Sequence, residues 1–253
     1  MIVRRVFTFL SFLITSSAFA LYNGSPTLPE MPENAFFLPK DSAFSLKANY
    51  EGDLVLGRNL KASSFSDPNI HSLFNGAEVS FGFIDRVELY TLLGGFNSTV
   101  SAFQDSSYCK FKIKESFGGA VGVRAIGIFW GETKLGFDAK YFYGWPNLES
   151  LQKGSKTVKA SASSDQSEWQ VGVALSQKFA IFTPYVGVNY SKFTLNFSKF
   201  SHDIFSGKIK IENSSPFGFL IGLGICGGKG VFFDFEARFF DEYALSSALG
   251  FRF

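Results

Sequence analysis

The sequence predicts an all-β protein: a transmembrane antiparallel up-and-down β-barrel of about ten strands (range 8–12), with short periplasmic turns and long extracellular loops. Three observations support this fold: an export-type N-terminus, a period of two in the apolar residues, and connections that alternate between short and long. No later stretch reaches the ~18 apolar residues of a membrane helix, and only closed barrels otherwise satisfy the backbone in lipid. The formal net charge of +2 gives no basic field for nucleic acid.

The N-terminus is predicted to be an export signal followed by an irregular segment. Residues 1–20 are predicted to be a signal peptide, with Arg4 and Arg5, an apolar run over 6–14 and small residues at 18 and 20, and we expect cleavage after Ala20. Four prolines make 21–42 an irregular lead-in. The barrel domain is then expected to span 43–253 and to lie in the cell outer membrane.

Ten segments alternate apolar and polar or small residues, as half-buried strands do. They are 44–56, 77–83, 86–93, 117–128, 134–143, 168–176, 184–191, 217–225, 231–240 and 243–253. The connections expected to be short lie at 84–85, 130–133, 178–183, 227–230 and 241–242, and the long polar ones at 57–75, 96–115, 145–166 and 198–214. An even number of strands returns both termini to the periplasm.

One face of each strand is nearly free of charge and rich in Phe, Tyr, Val and Leu. A charge at mid-membrane on a barrel's lipid face costs about 2–4 kcal/mol, so we assign the charged face to the lumen. The lumen-facing charges predicted on this basis are Lys47, Glu51, Asp53, Glu78, Arg86, Glu88, Arg124, Asp138, Lys140, Asp234, Glu236, Arg238 and Arg252. A secreted β-sandwich or lipocalin-like barrel would reverse inside and outside, but the signal peptide, loop asymmetry and terminal Phe253 favour the membrane barrel.

Aromatic residues near strand ends are expected to form interfacial belts. They are Tyr141, Tyr143, Trp145, Trp169, Tyr185 and Tyr243. The two cysteines, Cys109 and Cys226, fall at opposite ends of this topology. A membrane band of ~25 Å separates those ends, whereas bridged Cα atoms lie within ~7 Å, so we expect no disulfide between them.

Four ordered stretches of the chain resemble the chlamydial major outer membrane porin family. They are "NYEGDLVLGRNLK" (49–61), "SFGGAVGVRAIGIFWGETKLGFDAKYFY" (116–143), "EWQVGVALSQKFAIFTPYVGVNYS" (168–191) and "EARFFDEYALSSALGFRF" (236–253). The resemblance implies an outer-membrane barrel that passes small solutes, often as a trimer, with Phe253 as the signal for the barrel-assembly machinery. This chain is shorter than that family's members of about sixteen strands and lacks their cysteine-rich segments.

The expected function is therefore a porin for passive diffusion of ions and small polar solutes, with a structural role in the envelope. The alternative is a non-conducting structural or adhesive barrel that acts through its extracellular loops. Ten strands lie near the limit where side chains fill the lumen, and small inward residues such as Gly122, Gly172 and Gly222 favour the conduit. Expected partners are membrane lipid, the assembly machinery, small solutes and other copies of the chain, with no nucleic acid.

An enzyme, a metal and a cofactor are not expected. A hydrolase site would need His or carboxylates grouped at the extracellular rim. His71 and His202 lie in predicted loops with Asp67 and Asp203 nearby in sequence, a pattern more typical of solvated loop residues.

Overall fold

A computed structural model describes residues 22–31, 35, 43–201, 205, 207–227 and 230–253. The predicted signal peptide and most of 32–42 lie outside the described residues. The strands are β1 (Phe44–Ala62), β2 (Ser66–Phe83), β3 (Val87–Gln104), β4 (Ser107–Trp130), β5 (Thr133–Trp145), β6 (Leu148–Lys153), β7 (Lys156–Lys159), β8 (Ser163–Gln177), β9 (Phe182–Ser198), β10 (Ile209–Asn213), β11 (Phe217–Cys226), β12 (Val231–Phe239) and β13 (Glu242–Arg252). In the described residues no helix is long and apolar enough to cross a membrane.

Ten of these strands close into an antiparallel barrel. Each pairs with the next along the ring β1-β2-β3-β4-β5-β8-β9-β11-β12-β13, and β13 pairs with β1 from Lys47–Arg252 to Arg58–Glu242. At the seam the backbone N–H of Phe253 donates to the carbonyl of Leu46 at 2.8 Å. The predicted transmembrane antiparallel barrel of ten strands is confirmed.

The extracellular side differs from the predicted long loops at two places. Residues 57–75 and 96–115 were expected to be loops, but β1 and β2 run to the tight connection at 63–65, and β3 and β4 to a two-residue turn at 105–106. These segments continue the alternation, interrupted only at β-bulges, so they extend the sheet beyond the membrane. The connection over 146–162 holds the β6–β7 hairpin, which pairs with β4, and β10 bridges β9 and β1 above the β12–β13 turn.

The outward face divides the wall into two zones. We call the zone with an apolar outer face the membrane span: 44–56, 73–93, 117–145, 169–190, 217–226 and 231–251. We call the zone with a polar outer face the outer cap; it comprises the described residues within 59–71, 97–115, 148–167 and 192–213. In β9, for example, Val186, Val188 and Tyr190 face outward in the membrane span and Lys192 and Thr194 follow them in the outer cap.

In β4 a β-bulge marks the boundary between the zones. The pairing of β3 and β4 shifts register between Phe96 and Ser98, and Glu115 opposite this shift has φ of 51°. Lys114 and Glu115 are both exposed as a result, and the phase of the strand changes by one residue. Phe117 then begins the apolar outer face.

The predicted irregular lead-in enters the barrel. Residues 22–29 are buried, and a single 3₁₀ turn, Leu28–Glu30, interrupts an otherwise extended path. We call residues 22–31 the N-terminal segment. The N-terminal segment is therefore part of the lumen lining. The prolines of this region predict an irregular path but do not predict that it enters the barrel.

Candidate functional site in the barrel interior

Twelve of the thirteen charges predicted to face the lumen are buried inside the barrel. The exception is Arg86, which lies exposed in the periplasmic turn. The alternation that placed it inward stops at this turn, because Ile84 and Asp85 both have positive φ. The guanidinium of Arg86 instead lies 4.8 Å from the centre of the Phe129 ring. Its assignment to the lumen is wrong.

Arg124 is the centre of one charged cluster. Its two terminal nitrogens donate to the two oxygens of Glu78, each at 2.8 Å, and its Nε lies 3.3 Å from Asp138. Glu51 is a third carboxylate at 3.7 Å. The guanidinium lies 3.9 Å from the centre of the Tyr90 ring, whose hydroxyl donates to Asp138 at 2.8 Å. The charge of Arg124 is therefore compensated by surrounding carboxylates, as a buried charge requires.

Arg238 is the centre of a second cluster. It donates to Asp53 at 2.7 Å, to Glu236 at 2.6 Å and to Glu242 at 2.7 Å. Ser246 donates a further hydrogen bond to Asp53 at 2.7 Å. The three carboxylates come from β1, β12 and β13, so this cluster holds the closing seam from inside.

Arg58 extends this cluster toward the outer cap. It pairs with Glu242 at 2.5 Å and makes a two-point contact with Glu168, at 2.8 and 3.1 Å. Sequence reasoning missed all three residues. It placed Arg58 in a loop, although continued alternation after Leu56, shifted by one residue at a bulge, would have placed it inward.

The N-terminal segment is bound by its backbone. Glu236 accepts hydrogen bonds from the backbone N–H groups of Asn23 at 3.1 Å and Gly24 at 3.0 Å. Lys140 donates to the carbonyl of Tyr22, and Lys47 donates to those of Leu28 and Pro29. Lumen charges that could have attracted a solute are therefore occupied by this chain's own peptide groups.

The small inward residues do not leave open space. Gly122 lies opposite Tyr90 and Gly222 opposite Tyr185 in the sheet, and a Cβ added at either would lie within 2.3 Å of the tyrosine ring. Gly172 similarly faces the side chain of Asn23. The expectation that these glycines favour a conduit is wrong, because each makes room for a side chain that fills the lumen.

Most of the predicted aromatic belt faces outward. Tyr141, Trp145, Trp169 and Tyr243 are exposed, as interfacial residues should be. Tyr185 is the exception: it is buried and its hydroxyl donates to Asp234 at 2.6 Å in the lumen.

The interior of the outer cap, and of the adjoining end of the membrane span, is an apolar core. Phe111 stacks on Phe197 with 5.6 Å between ring centroids, and Phe65 packs edge-on against Phe111 at 5.5 Å. The buried members of this core are Leu60, Phe65, Ile70, Phe74, Leu92, Phe96, Val100, Ala102, Cys109, Phe111, Ile113, Ala120, Phe142, Leu148, Leu151, Ala160, Phe193, Leu195, Phe197, Phe205, Ile209 and Ile211. They close the extracellular half of the lumen.

Little free volume remains inside. The cavity beside Gly24, Arg124 and Asp138 measures about 20 Å³, room for roughly one water molecule. A larger cleft of about 260 Å³ opens at the periplasmic mouth, between the end of the N-terminal segment and the β8–β9 turn. The space beside the Arg124 cluster is thus too small for a solute, whereas the cleft at the periplasmic mouth is large enough for one.

The remaining candidates are spread over the molecule. His71 and Asp67 are exposed on the outer cap, and His202 and Asp203 lie outside the described residues. Within the ranges described, no three His, Cys, Asp or Glu residues are grouped so that they could hold a metal ion. Cys109 lies near the outer end of β4 and Cys226 at the periplasmic end of β11, both as free thiols.

Comparison with known proteins supports the resemblance over one segment. The model of the family described as Chlamydia major outer membrane protein matches residues 148–205, which run from β6 past the end of β9. No curated protein sequence matches the chain.

Solved structures of several outer-membrane barrels are similar at low identity. The translocator domain of the autotransporter NalP from Neisseria meningitidis is 12% identical with a TM-score of 0.45, over 84% of this chain and 89% of that one. The outer membrane protein OprG from Pseudomonas aeruginosa is 8% identical with a TM-score of 0.38, over 84% and 96%. The outer membrane protease OmpT from Escherichia coli is 9% identical with a TM-score of 0.42, over 83% and 94%. Likeness at this level says nothing about solute, ligand or activity.

Proposed function

We propose that this chain is a closed, non-conducting outer-membrane barrel with a structural and surface-display role. The observation that carries the proposal is the apolar core across the extracellular half of the lumen. A water-filled path through this core would expose buried Phe and Leu side chains, at about 1.5–3 kcal/mol each. Thermal fluctuation does not supply the sum of several such terms, so the closed form dominates.

The inner half of the lumen supports the same function. A conduit there would separate ion pairs such as Arg124–Glu78 and displace the N-terminal segment from Glu236. These contacts are hydrogen bonds to charged groups, and each stabilises the closed arrangement by about 1.5–3 kcal/mol. A conduit would therefore have to cross two barriers in series. One is the apolar core of the extracellular half, and the other is the charged clusters with the N-terminal segment in the inner half.

A porin for ions and small polar solutes is the second candidate. The match of the Chlamydia major outer membrane protein family to residues 148–205 favours it, as does the charged inner half. Such a porin would have to open by moving the apolar core as well as the N-terminal segment. In either case we infer that the barrel inserts through the assembly machinery, with Phe253 as the residue that the machinery recognises.

Planar-bilayer recording of the refolded full chain separates the two candidates. We expect no conductance steps from protein that migrates as a folded barrel in unheated gels. A variant with three substitutions in the core, Phe65→Ala, Phe111→Ala and Phe197→Ala, should also stay closed, because the inner ion pairs and the N-terminal segment still block the lumen in series with the core. Steady single-channel steps from the unmodified chain, with ion selectivity altered by Arg124→Glu, would overturn the closed-barrel proposal in favour of the porin.

A further inference from the structure

Exposed lysines are concentrated on the outer cap. Of the described residues in this zone, eleven are lysines with outward or half-exposed side chains: Lys61, Lys110, Lys112, Lys114, Lys153, Lys156, Lys159, Lys192, Lys199, Lys208 and Lys210. Six carboxylates accompany them on the outer face: Asp67, Asp105, Glu115, Glu149, Asp165 and Glu212. Among the described residues, the outer face of the cap therefore carries an excess of five positive charges, in a chain whose whole formal charge is +2.

One group lies where β1, β10 and β9 pair, and we call it the seam cluster: Lys61, Lys192 and Lys210. Lys210 lies 2.9 Å from Glu212, and Lys61 is the direct cross-strand partner of Glu212. The hydrogen bond from Lys210, together with the charges of Lys61 and Lys192, holds the pKa of Glu212 below its ordinary value. Three lysines around one carboxylate leave two positive charges for an external anion.

A second group lies on β4 and β7, and we call it the hairpin cluster: Lys110, Lys112, Lys114 and Lys159. Lys112 lies 2.8 Å from Glu149, and Lys114 lies 3.8 Å from both Glu149 and Glu115. The hydrogen bond from Lys112 and the charges of Lys114 and Lys159 hold the pKa of Glu149 below its ordinary value. Four lysines around two carboxylates again leave two positive charges.

Both clusters begin at the edge of the lipid-facing surface. Lys192 is the cross-strand partner of Trp169, whose ring packs on Tyr190 at 5.1 Å. Lys114 lies three residues before Phe117, where the apolar outer face of β4 starts. Exposed aromatic rings such as Trp169 mark the membrane interface, so the lysines next to them stand at the height of the outer-leaflet headgroups.

We propose that the seam and hairpin clusters bind the phosphate groups of an anionic glycolipid or phospholipid in the outer leaflet. Lysine ammonium groups are compact point charges suited to phosphate, and their flexible stems reach down from the cap toward the headgroups. We assign a lipid to these clusters because Lys192 and Lys114, one from each cluster, lie next to the lipid-facing surface. This proposal is independent of whether the lumen conducts.

Native mass spectrometry of the refolded full chain in detergent, titrated with bisphosphorylated lipid A, tests the proposal. We expect lipid adducts on the unmodified chain, and a loss of affinity of about fivefold per lysine in Lys61→Gln/Lys192→Gln/Lys210→Gln. The control Lys156→Gln/Lys199→Gln/Lys208→Gln removes the same charge away from the interface and should keep its affinity. Unheated gel migration checks that each variant is folded.

Two further measurements test whether the lysines recognise the phosphate groups of the lipid. Dephosphorylated lipid A should bind weakly, and inorganic phosphate at the same concentration should not compete. Equal affinity of the seam variant and its control, or equal binding of the dephosphorylated lipid, would overturn the proposal. Full competition by inorganic phosphate would also overturn it, because the surface would then be a general anion site.

Discussion

The membrane span and the outer cap are made from the same strands with opposite polarity. In the membrane span Val186 and Val188 of β9 face lipid while Asn189 is buried in the lumen. A few residues later Phe193 and Leu195 are buried inside and Lys192 and Thr194 face out. The strand geometry is unchanged, and only the surroundings of the outer face differ.

The comparison shows that the inward side chains of a zone have the opposite polarity to its outward side chains. In lipid, the burial of apolar side chains in the lumen has little to gain, so ion pairs fill its inner part, and the apolar core reaches only the outer end of the membrane span, at Phe74, Leu92 and Phe142. In water, the hydrophobic effect drives Phe111, Phe197 and their neighbours inward as in a soluble domain. One chain thus uses two different sources of stability along one barrel axis.

The largest expected effect is the removal of a lumen charge. Arg238→Ala leaves Asp53, Glu236 and Glu242 buried around a missing cation and should cost about 3–5 kcal/mol in the free energy of unfolding. Denaturant titration in micelles, followed by gel migration and tryptophan fluorescence, measures it. Arg86→Ala removes an exposed arginine and should change stability by less than about 1 kcal/mol. Equal losses for the two would refute the inward-outward assignment.

Removal of a ring from the core of the outer cap should cost nearly as much. Phe197→Ala deletes a buried ring stacked on Phe111 and should lower the free energy of unfolding by about 3–4 kcal/mol. The control Phe103→Ala removes an exposed ring near the tip of β3 and should cost under about 1 kcal/mol. If both substitutions cost the same, the cap has no packed core.

A charge placed on the outer face should distinguish lipid from water. Val188→Lys puts a lysine on the lipid-facing side of β9, two residues inside the interfacial Tyr190, and should cost about 1–2 kcal/mol, between the values for the interface and the midplane. Thr194→Lys makes the same change on the same face of the same strand, six residues further on, and should be within about 0.5 kcal/mol of neutral. Refolding yield and unfolding in lipid bilayers measure both, and an equal penalty would place the boundary beyond Thr194.

The sequence alone predicts the membrane span well because there the apolar face is also the outer face. It fails in the outer cap for a physical reason. "KFKIK" (110–114) alternates perfectly, but a rule that apolar faces meet lipid would place Phe111 outside and the lysines inside. Alternation gives two faces without saying which is inner, and that depends on where the membrane ends.

The sequence also does not predict that side chains and the N-terminal segment fill the lumen. The inward phase of Gly122 and Gly222 is visible in the sequence, but the tyrosines opposite them follow from strand register. The N-terminal segment carries no pattern that ties it to Glu236, because its backbone rather than its side chains is recognised. Hydrogen bonds made by backbone groups do not depend on residue type, so the sequence does not predict them.

A comparable loss of stability is expected where a glycine packs against a tyrosine. Gly222→Ala would bring a Cβ to 2.1 Å from the ring of Tyr185, so the ring must move away from Asp234, at a cost of about 1–3 kcal/mol. Gly227→Ala at the periplasmic end of β11 meets nothing within 4 Å and should be neutral. Should Gly222→Ala also be neutral in denaturant titration, the lumen has free volume at this level. The inner half would then be open to solutes, and only the outer cap would seal the barrel.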